Sequence, residues 1–204
     1  MQTRTHTRML LRLSAIGCLL VPSVKAADTF KIDPAHTSIS FSVRHMGVSN
    51  VKGHFDEFSG TLVLGNGAIK DANGTIQTKS VDTGIQQRDN HLRSPEIFDA
   101  AKYPLITFKT KSVEQSGDQT VLIGDFTMHG VTRELRLPVT LSGPIKDPQG
   151  NTRLGLEGST TLNRKDYGMK FNGVMATGGL LVGDEIKLEI NAEAVKQSAE
   201  AADS

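Results

Sequence analysis

An all-β fold, an eight-stranded antiparallel up-and-down barrel with a short helical insertion, is predicted by three observations on this 204-residue chain. Apolar and polar residues alternate with period two in segment after segment, as in a strand with one dry and one wet face. Turn-forming residues separate these segments at hairpin spacing. Helical periodicity appears only once. Eight consecutive strands that share one apolar face close most simply into a barrel; a two-sheet sandwich is the structural alternative.

The elements follow in chain order. Arg4, Arg8 and Arg12 precede an apolar run over residues 13–24, and Val24-Lys25-Ala26 ends it in the small-residue pattern read by signal peptidase. The run is too short to span a bilayer and Pro22 interrupts it, so residues 1–26 are expected to be a secretory signal. A mature domain over 27–195 and a polar tail without fixed structure, 196–204, then remain. Ala15-Ile16-Gly17-Cys18 resembles a lipobox only loosely, with no Leu three places before the Cys. Cys18 is the one cysteine and leaves with the signal, so neither a disulfide nor a thiolate metal site is expected in the mature chain.

Ile39, Phe41 and Val43 alternate with Ser38, Ser40, Ser42 and Arg44. Looser alternation covers about 51–64, 72–81, 105–113, 120–128 and 153–162. Within the first of these the apolar phase flips between Phe55 and Phe58, which predicts a β-bulge. Leu135, Leu137, Val139 and Leu141 form another strand face, and Ile186, Leu188, Ile190 and Ala192 the last. Gly65-Asn66-Gly67, Ser116-Gly117-Asp118, His129-Gly130 and Asp147-Pro148-Gln149-Gly150-Asn151 read as hairpin turns. Two connections are longer. Residues 83–103 predict one or two short helices, with Ser94 as N-cap and Pro95 in the first turn. Residues 163–183 are Gly-rich and irregular.

Charge narrows the partners. Four of the 23 basic residues leave with the signal and all 22 acidic ones stay, so the net charge falls from +1 to −3. A mildly acidic surface does not attract phosphate backbones, and nucleic acid is not an expected partner. A barrel in the outer membrane would need aromatic girdles, and this chain has no Trp and two Tyr.

Particular residues carry a resemblance. Asp33-Pro-Ala-His36-Thr-Ser-Ile-Ser-Phe41, Val43-Arg-His45 and Gly53-His-Phe55 resemble the opening of the YceI-like family of periplasmic polyisoprenoid-binding proteins. Arg88-Asp89-Asn-His91-Leu92, Phe98-Asp99 and Tyr103-Pro104-Leu-Ile-Thr107-Phe108 continue it. Gly124-Asp-Phe126-Thr-Met-His129-Gly130-Val-Thr132 and Asn163-Arg164-Lys-Asp166-Tyr167-Gly168-Met169 complete it, in order, over about residues 30–194. The resemblance implies a lipocalin-like, extended eight-stranded barrel around a long isoprenoid chain. It also implies lipid binding or carriage without chemistry, in the periplasm.

The residues pose one physical question, whether the lumen is full or hollow. Eight strands leave a space that side chains just fill or that holds one small ligand. Gly53, Gly60, Gly124 and Gly158 fall on apolar phases, and large fillers are few, which favours a hollow interior; a glycine at a bend or bulge is the competing reading. With the resemblance, the expected ligand-facing walls are Phe41, Val43, Phe55, Leu92, Phe98, Phe108, Phe126, Leu137, Leu156 and Gly158. His45, Arg88, His91 and Arg164 are the polar candidates for a head group. Each has a structural alternative: a satisfied core histidine for His45, an ion pair for Arg88, and loop closure beside Asp166 and Tyr167 for Arg164.

Nothing resembles a nucleophile elbow or a phosphate loop, and the histidines at 36, 45, 54, 91 and 129 are too dispersed for a metal site. No cofactor is expected. The expected partners are an isoprenoid or other long-chain lipid and a transient membrane or envelope-protein contact. Two rivals are a filled barrel serving as an interaction module and an enzyme acting on an isoprenoid lipid. A dimer is compatible with the sequence, which sets neither the oligomeric state nor the lipid.

Overall fold

Eight antiparallel staves close into a barrel, and three of them are broken by short irregularities, so that eleven strand segments build the ring. The computed structural model describes residues 27–117, 119–173 and 180–198. Residues 1–26, expected to be an export signal, Asp118 of one hairpin turn, 174–179 of the expected irregular connection and 199–204 of the expected tail lie outside them. The first stave is β1 (Asp28–Ile32) and β2 (Ser38–His45), interrupted by a 3-10 turn, Pro34–His36. The second is β3 (Ser49–Phe55) and β4 (Phe58–Gly65). The third is β5 (Ala68–Gln77) and β6 (Val81–Asp82), with a 3-10 turn at Thr78–Ser80. Single strands complete the ring: β7 (Leu105–Ser116), β8 (Gln119–Met128), β9 (Val131–Lys146), β10 (Thr152–Asn163) and β11 (Val182–Lys196).

Closure comes from β11. It pairs with β2 through Leu188↔Phe41 and Ile186↔Val43, and with β1 through Ala194↔Ile32. Barrel closure leaves no sheet edge to pair with another chain. Alternation dictates the two faces: on β9, Leu135, Leu137 and Val139 are buried between exposed Glu134, Arg136 and Thr140. The outer faces carry ion pairs, among them Lys111–Glu134 at 2.9 Å and Arg136–Glu114 at 2.6 Å. Such a skin suits water and not hydrocarbon.

Turns fix the register. Asn66 and Gly67 both have positive φ, 54° and 78°, as do His129 and Gly130 at 51° and 73°. That backbone matches the twist of a two-residue hairpin, and glycine accepts it without strain. Asp147 closes the β9–β10 turn by accepting from the backbone N–H of Gln149 and of Asn151. The phase change between Phe55 and Phe58 is a break between β3 and β4 at residues 56–57, with both aromatic residues kept on the inner side.

Three sequence expectations are corrected. β1 was not visible in the alternation, yet its Phe30 is 1 % exposed. β11 runs through Lys196, one residue into the expected tail. Ser94 does not start a helix. It ends α1 (Gln86–Arg93), and its N–H donates to the His91 carbonyl. The cause is Pro95, which excludes the helical region for the residue before it; Ser94 sits at ψ 166° and the chain turns away.

The interior divides in two along the barrel axis. At the end holding the β4–β5 and β9–β10 turns, Leu64, Ile69, Leu154 and Ala194 pack with Phe30 into a mainly aliphatic core. At the α1 end the core is aromatic, with Phe41 5.6 Å from Phe55 and Phe126 5.6 Å from Tyr167, ring centre to ring centre. The empty space lies toward this aromatic end.

Candidate functional site

Two apolar chambers run into the barrel from beneath α1. The outer one has a volume of about 260 Å³ and the inner one about 110 Å³. Ile76, Ile106, Phe126 and Leu188 border both, so these four form a waist between adjoining spaces. Together the volumes reach the range of roughly 300–1,000 Å³ found for small-molecule sites.

The outer chamber is built by elements far apart in sequence. Phe41, Val43 and His45 enter from β2, Phe55 from β3, and Phe126 from β8. Arg88, His91 and Leu92 come down from α1, Phe98 from the turn behind it, and Arg164 from the 3-10 turn Arg164–Tyr167. Phe108, Leu137 and Leu156 line the inner chamber. Thirteen of the fourteen residues expected at a ligand thus stand on chamber walls. The exception is Gly158.

The glycines behave differently from the sequence expectation. A methyl group at Gly158 would lie 3.1 Å from Val139 Cγ1 and 3.4 Å from Leu137 Cδ1, in filled space. At Gly53 it would lie 2.5 Å from Phe41 Cζ, and at Gly124 2.7 Å from Phe108 Cζ. These glycines are berths for the rings of neighbouring strands and not vacancies. Gly60 is equally tight, against the Asn73 carbonyl. Gly74 is the one that faces open space: it lines the inner chamber between buried Ala72 and Ile76, and a methyl there meets nothing within 4 Å.

The polar groups also sort by partner. Arg164 is 5 % exposed, and its five N–H groups donate to the carbonyls of Gly183, Met169, Phe171 and Val182 and to Asp184. A guanidinium has five donors, so none is left for a head group. Arg164 closes the irregular segment onto β11, and the expectation of a ligand contact there is corrected. Arg88 is different. Its Nε donates to Thr83 Oγ1 at 2.7 Å and Nη2 to the Thr83 carbonyl at 2.9 Å, Nη1 has no partner among the described residues, and the side chain lines the outer chamber. Asp89 is not its ion-pair partner; it accepts from the Thr83 N–H and hydroxyl and thereby anchors α1.

His91 Nε2 lies 2.7 Å from Glu96 Oε2, and its ring meets the edge of Phe171 at 4.9 Å. His45 is half-buried at the end of β2. Among the described residues, no carboxylate lines either chamber. The site therefore offers a long apolar volume with positive and hydrogen-bonding groups near one end. Behind Phe126, outside the chamber walls, burial and the neighbouring Asp166 push the Tyr167 phenol up.

The sequence reading did not place Ile97, Met169, Phe171, Leu181 or Gly74 at the ligand. Four of them lie in the two irregular connections, where no period marks which side chain points inward. Ile186 and Leu188 also border the outer chamber, and their strand alternation would have found them.

Comparison with known proteins agrees with this architecture. Residues 30–194 match the YceI-like domain. A UPF0312 protein of Staphylococcus aureus (strain MSSA476) is 38% identical over 170 residues, covering 80% of this chain and 95% of that protein. Among solved structures, a Campylobacter jejuni YCEI protein superposes with a TM-score of 0.65 at 29% identity, over 76% of this chain and 90% of that one. Burkholderia cenocepacia BcnA gives a TM-score of 0.69 at 21% identity, over 79% of this chain and 98% of that one. A polyisoprenoid binding domain from Saccharophagus degradans, described as implicated in plant cell wall breakdown, gives 0.62 at 17% identity, over 82% and 98%.

Proposed function

This chain belongs to the YceI-like domain family, and on that premise we propose that its barrel binds a long-chain isoprenoid or related lipid for carriage or storage in the periplasm. The observation that carries the reading is the pair of adjoining chambers, lined mainly by apolar side chains and with arginines only in the outer one. The described binding of a polyisoprenoid by the Saccharophagus degradans domain supports it by analogy of fold.

Magnitudes favour a tail over a compact metabolite. Burying a methylene contributes about 0.8 kcal/mol, so ten of them supply about 8 kcal/mol, equivalent to a Kd near 1 μM. A ligand with such a tail has almost no free concentration in water. It passes directly between the barrel and a membrane or another protein, and the barrel acts as shuttle or store. Residues 1–26, read as an export signal, supply the compartment for that traffic.

Binding without catalysis is favoured by how the polar groups are held. His91 is engaged by Glu96, Arg88 by Thr83 and Arg164 by five acceptors, and none of them addresses a nucleophile. The test compares two ligands, an isoprenoid quinone and a bare hydrocarbon of equal length. His45→Ala with Arg88→Ala is expected to weaken the quinone by roughly tenfold, the size of one or two lost hydrogen bonds, and to leave the hydrocarbon unchanged. Equal loss for both ligands assigns these residues to the fold. Uptake of neither by the native protein makes it an interaction module.

A further inference from the structure

We infer that the rim of the chamber mouth is a docking surface for an anionic lipid bilayer, a role that rests on the lipid-carrier reading for its purpose but not for its test. Six large apolar side chains are exposed among the described residues, and four of them flank the mouth: Met46 at 43%, Val48 at 77%, Ile85 at 51% and Leu180 at 44%. Each is within three residues of a chamber wall. Met46 follows His45, Val48 precedes Val51, Ile85 precedes Arg88, and Leu180 precedes Leu181. The Met46 N–H donates to the Leu181 carbonyl at 2.9 Å, which extends the β2–β11 pairing to the rim and brings Met46 beside the Leu180–Leu181 segment.

Positive φ at Met46 and Gly47 makes this turn a tight tip, with Val48 on its surface. An exposed cluster of this kind at the opening of an apolar cavity marks an interaction site. Its charge selects the partner. Arg44, near the end of β2, reaches this turn: its guanidinium holds the Gly47 carbonyl through Nε and Nη2, with no carboxylate partner among the described residues. Arg88 adds a second cation and exposed Lys170 a third. Of the acids nearby, Glu96 engages His91, Asp184 engages Arg164 and Lys165, and Asp82 accepts from the Gly84 N–H.

Apolar tips among unpaired cations fit an interface of acyl chains and anionic head groups. A net charge of −3 after signal removal gives no overall attraction to such a membrane, so binding has to come from a local patch of this kind. Docking by the rim places the mouth against the bilayer, so that a lipid tail moves between them without crossing water.

The test is co-sedimentation of the mature protein with vesicles of phosphatidylcholine alone or mixed with phosphatidylglycerol. Binding is expected to the mixed vesicles, with a loss of roughly fivefold for each basic residue removed and a further fall at high salt as screening shortens. Val48→Glu with Ile85→Glu is expected to cut vesicle binding by at least roughly tenfold, with an unchanged Tm. Loading from detergent micelles reads the chamber separately. Protein that sediments with the mixed vesicles but takes no lipid from micelles keeps the docking surface and removes the carrier reading. Failure of the native protein to bind the mixed vesicles, or undiminished binding by the double variant, overturns the docking surface.

Discussion

Gly74 and Gly158 both lie on inward phases of ordinary strands, and their surroundings are opposite. Open space faces Gly74, and the side chains of Val139 and Leu137 crowd Gly158. Gly74→Phe is therefore expected to keep or raise the Tm and to block the inner chamber. A long isoprenoid should then be lost while a short one that stops at the waist is retained. Gly158→Phe forces a ring into occupied volume, an overpacking that typically costs about 1–3 kcal/mol, visible as a lower Tm in ligand-free protein. Equal behaviour of the two variants would contradict this placement of the void. Sequence phase could not separate them. An inward glycine is a vacancy or a berth according to its cross-strand partner, and that Phe41 lies opposite Gly53 emerges only from the register. Arg164 shows the same limit, because its identity marks a cation and only the folded chain reveals that five acceptors surround it.

The staves were legible wherever alternation was sustained, as on β9 and β11. Short elements were not: β1 offers only Phe30 and Ile32 as an inward pair. At Ser94 the sequence held a true boundary signal whose direction depended on α1 being already complete. The packed end has its own fastening, which the sequence did not suggest. Arg153 on β10 reaches Asp147 at 2.7 Å, Asp33 at 2.8 Å and Glu193, and so joins β1, the β9–β10 turn and β11. Its guanidinium is the main reason that Asp33 and Asp147 are held down at about 2, against an ordinary 3.8; His36 also bonds Asp33. Depressed carboxylates stabilise the fold fully above about pH 4, and that contribution is lost as the pH falls toward 2. Arg153→Gln leaves three facing carboxylates without their cation. The Tm gap between native protein and variant is expected to be widest near neutral pH and to narrow between about pH 4 and 2. A gap that is constant over this range would show that Arg153 acts by packing alone.

At the scale of the molecule, the barrel is asymmetric by design of its side chains. Aliphatic residues and the Arg153 junction seal one end, and aromatic rings over small residues leave the other end hollow beneath α1. Closure and strand count followed from pattern and resemblance. The position of the void did not, because it is set by register and by how the two long connections fold over the mouth. The central claim is that the void holds a lipid, and native mass spectrometry of the protein purified from its own cell envelope tests it most directly. The account predicts a chain that begins at Ala27 and carries one discrete extra mass in the lipid range, removed by solvent extraction and absent from Gly74→Phe. A bare polypeptide mass before and after extraction would contradict it.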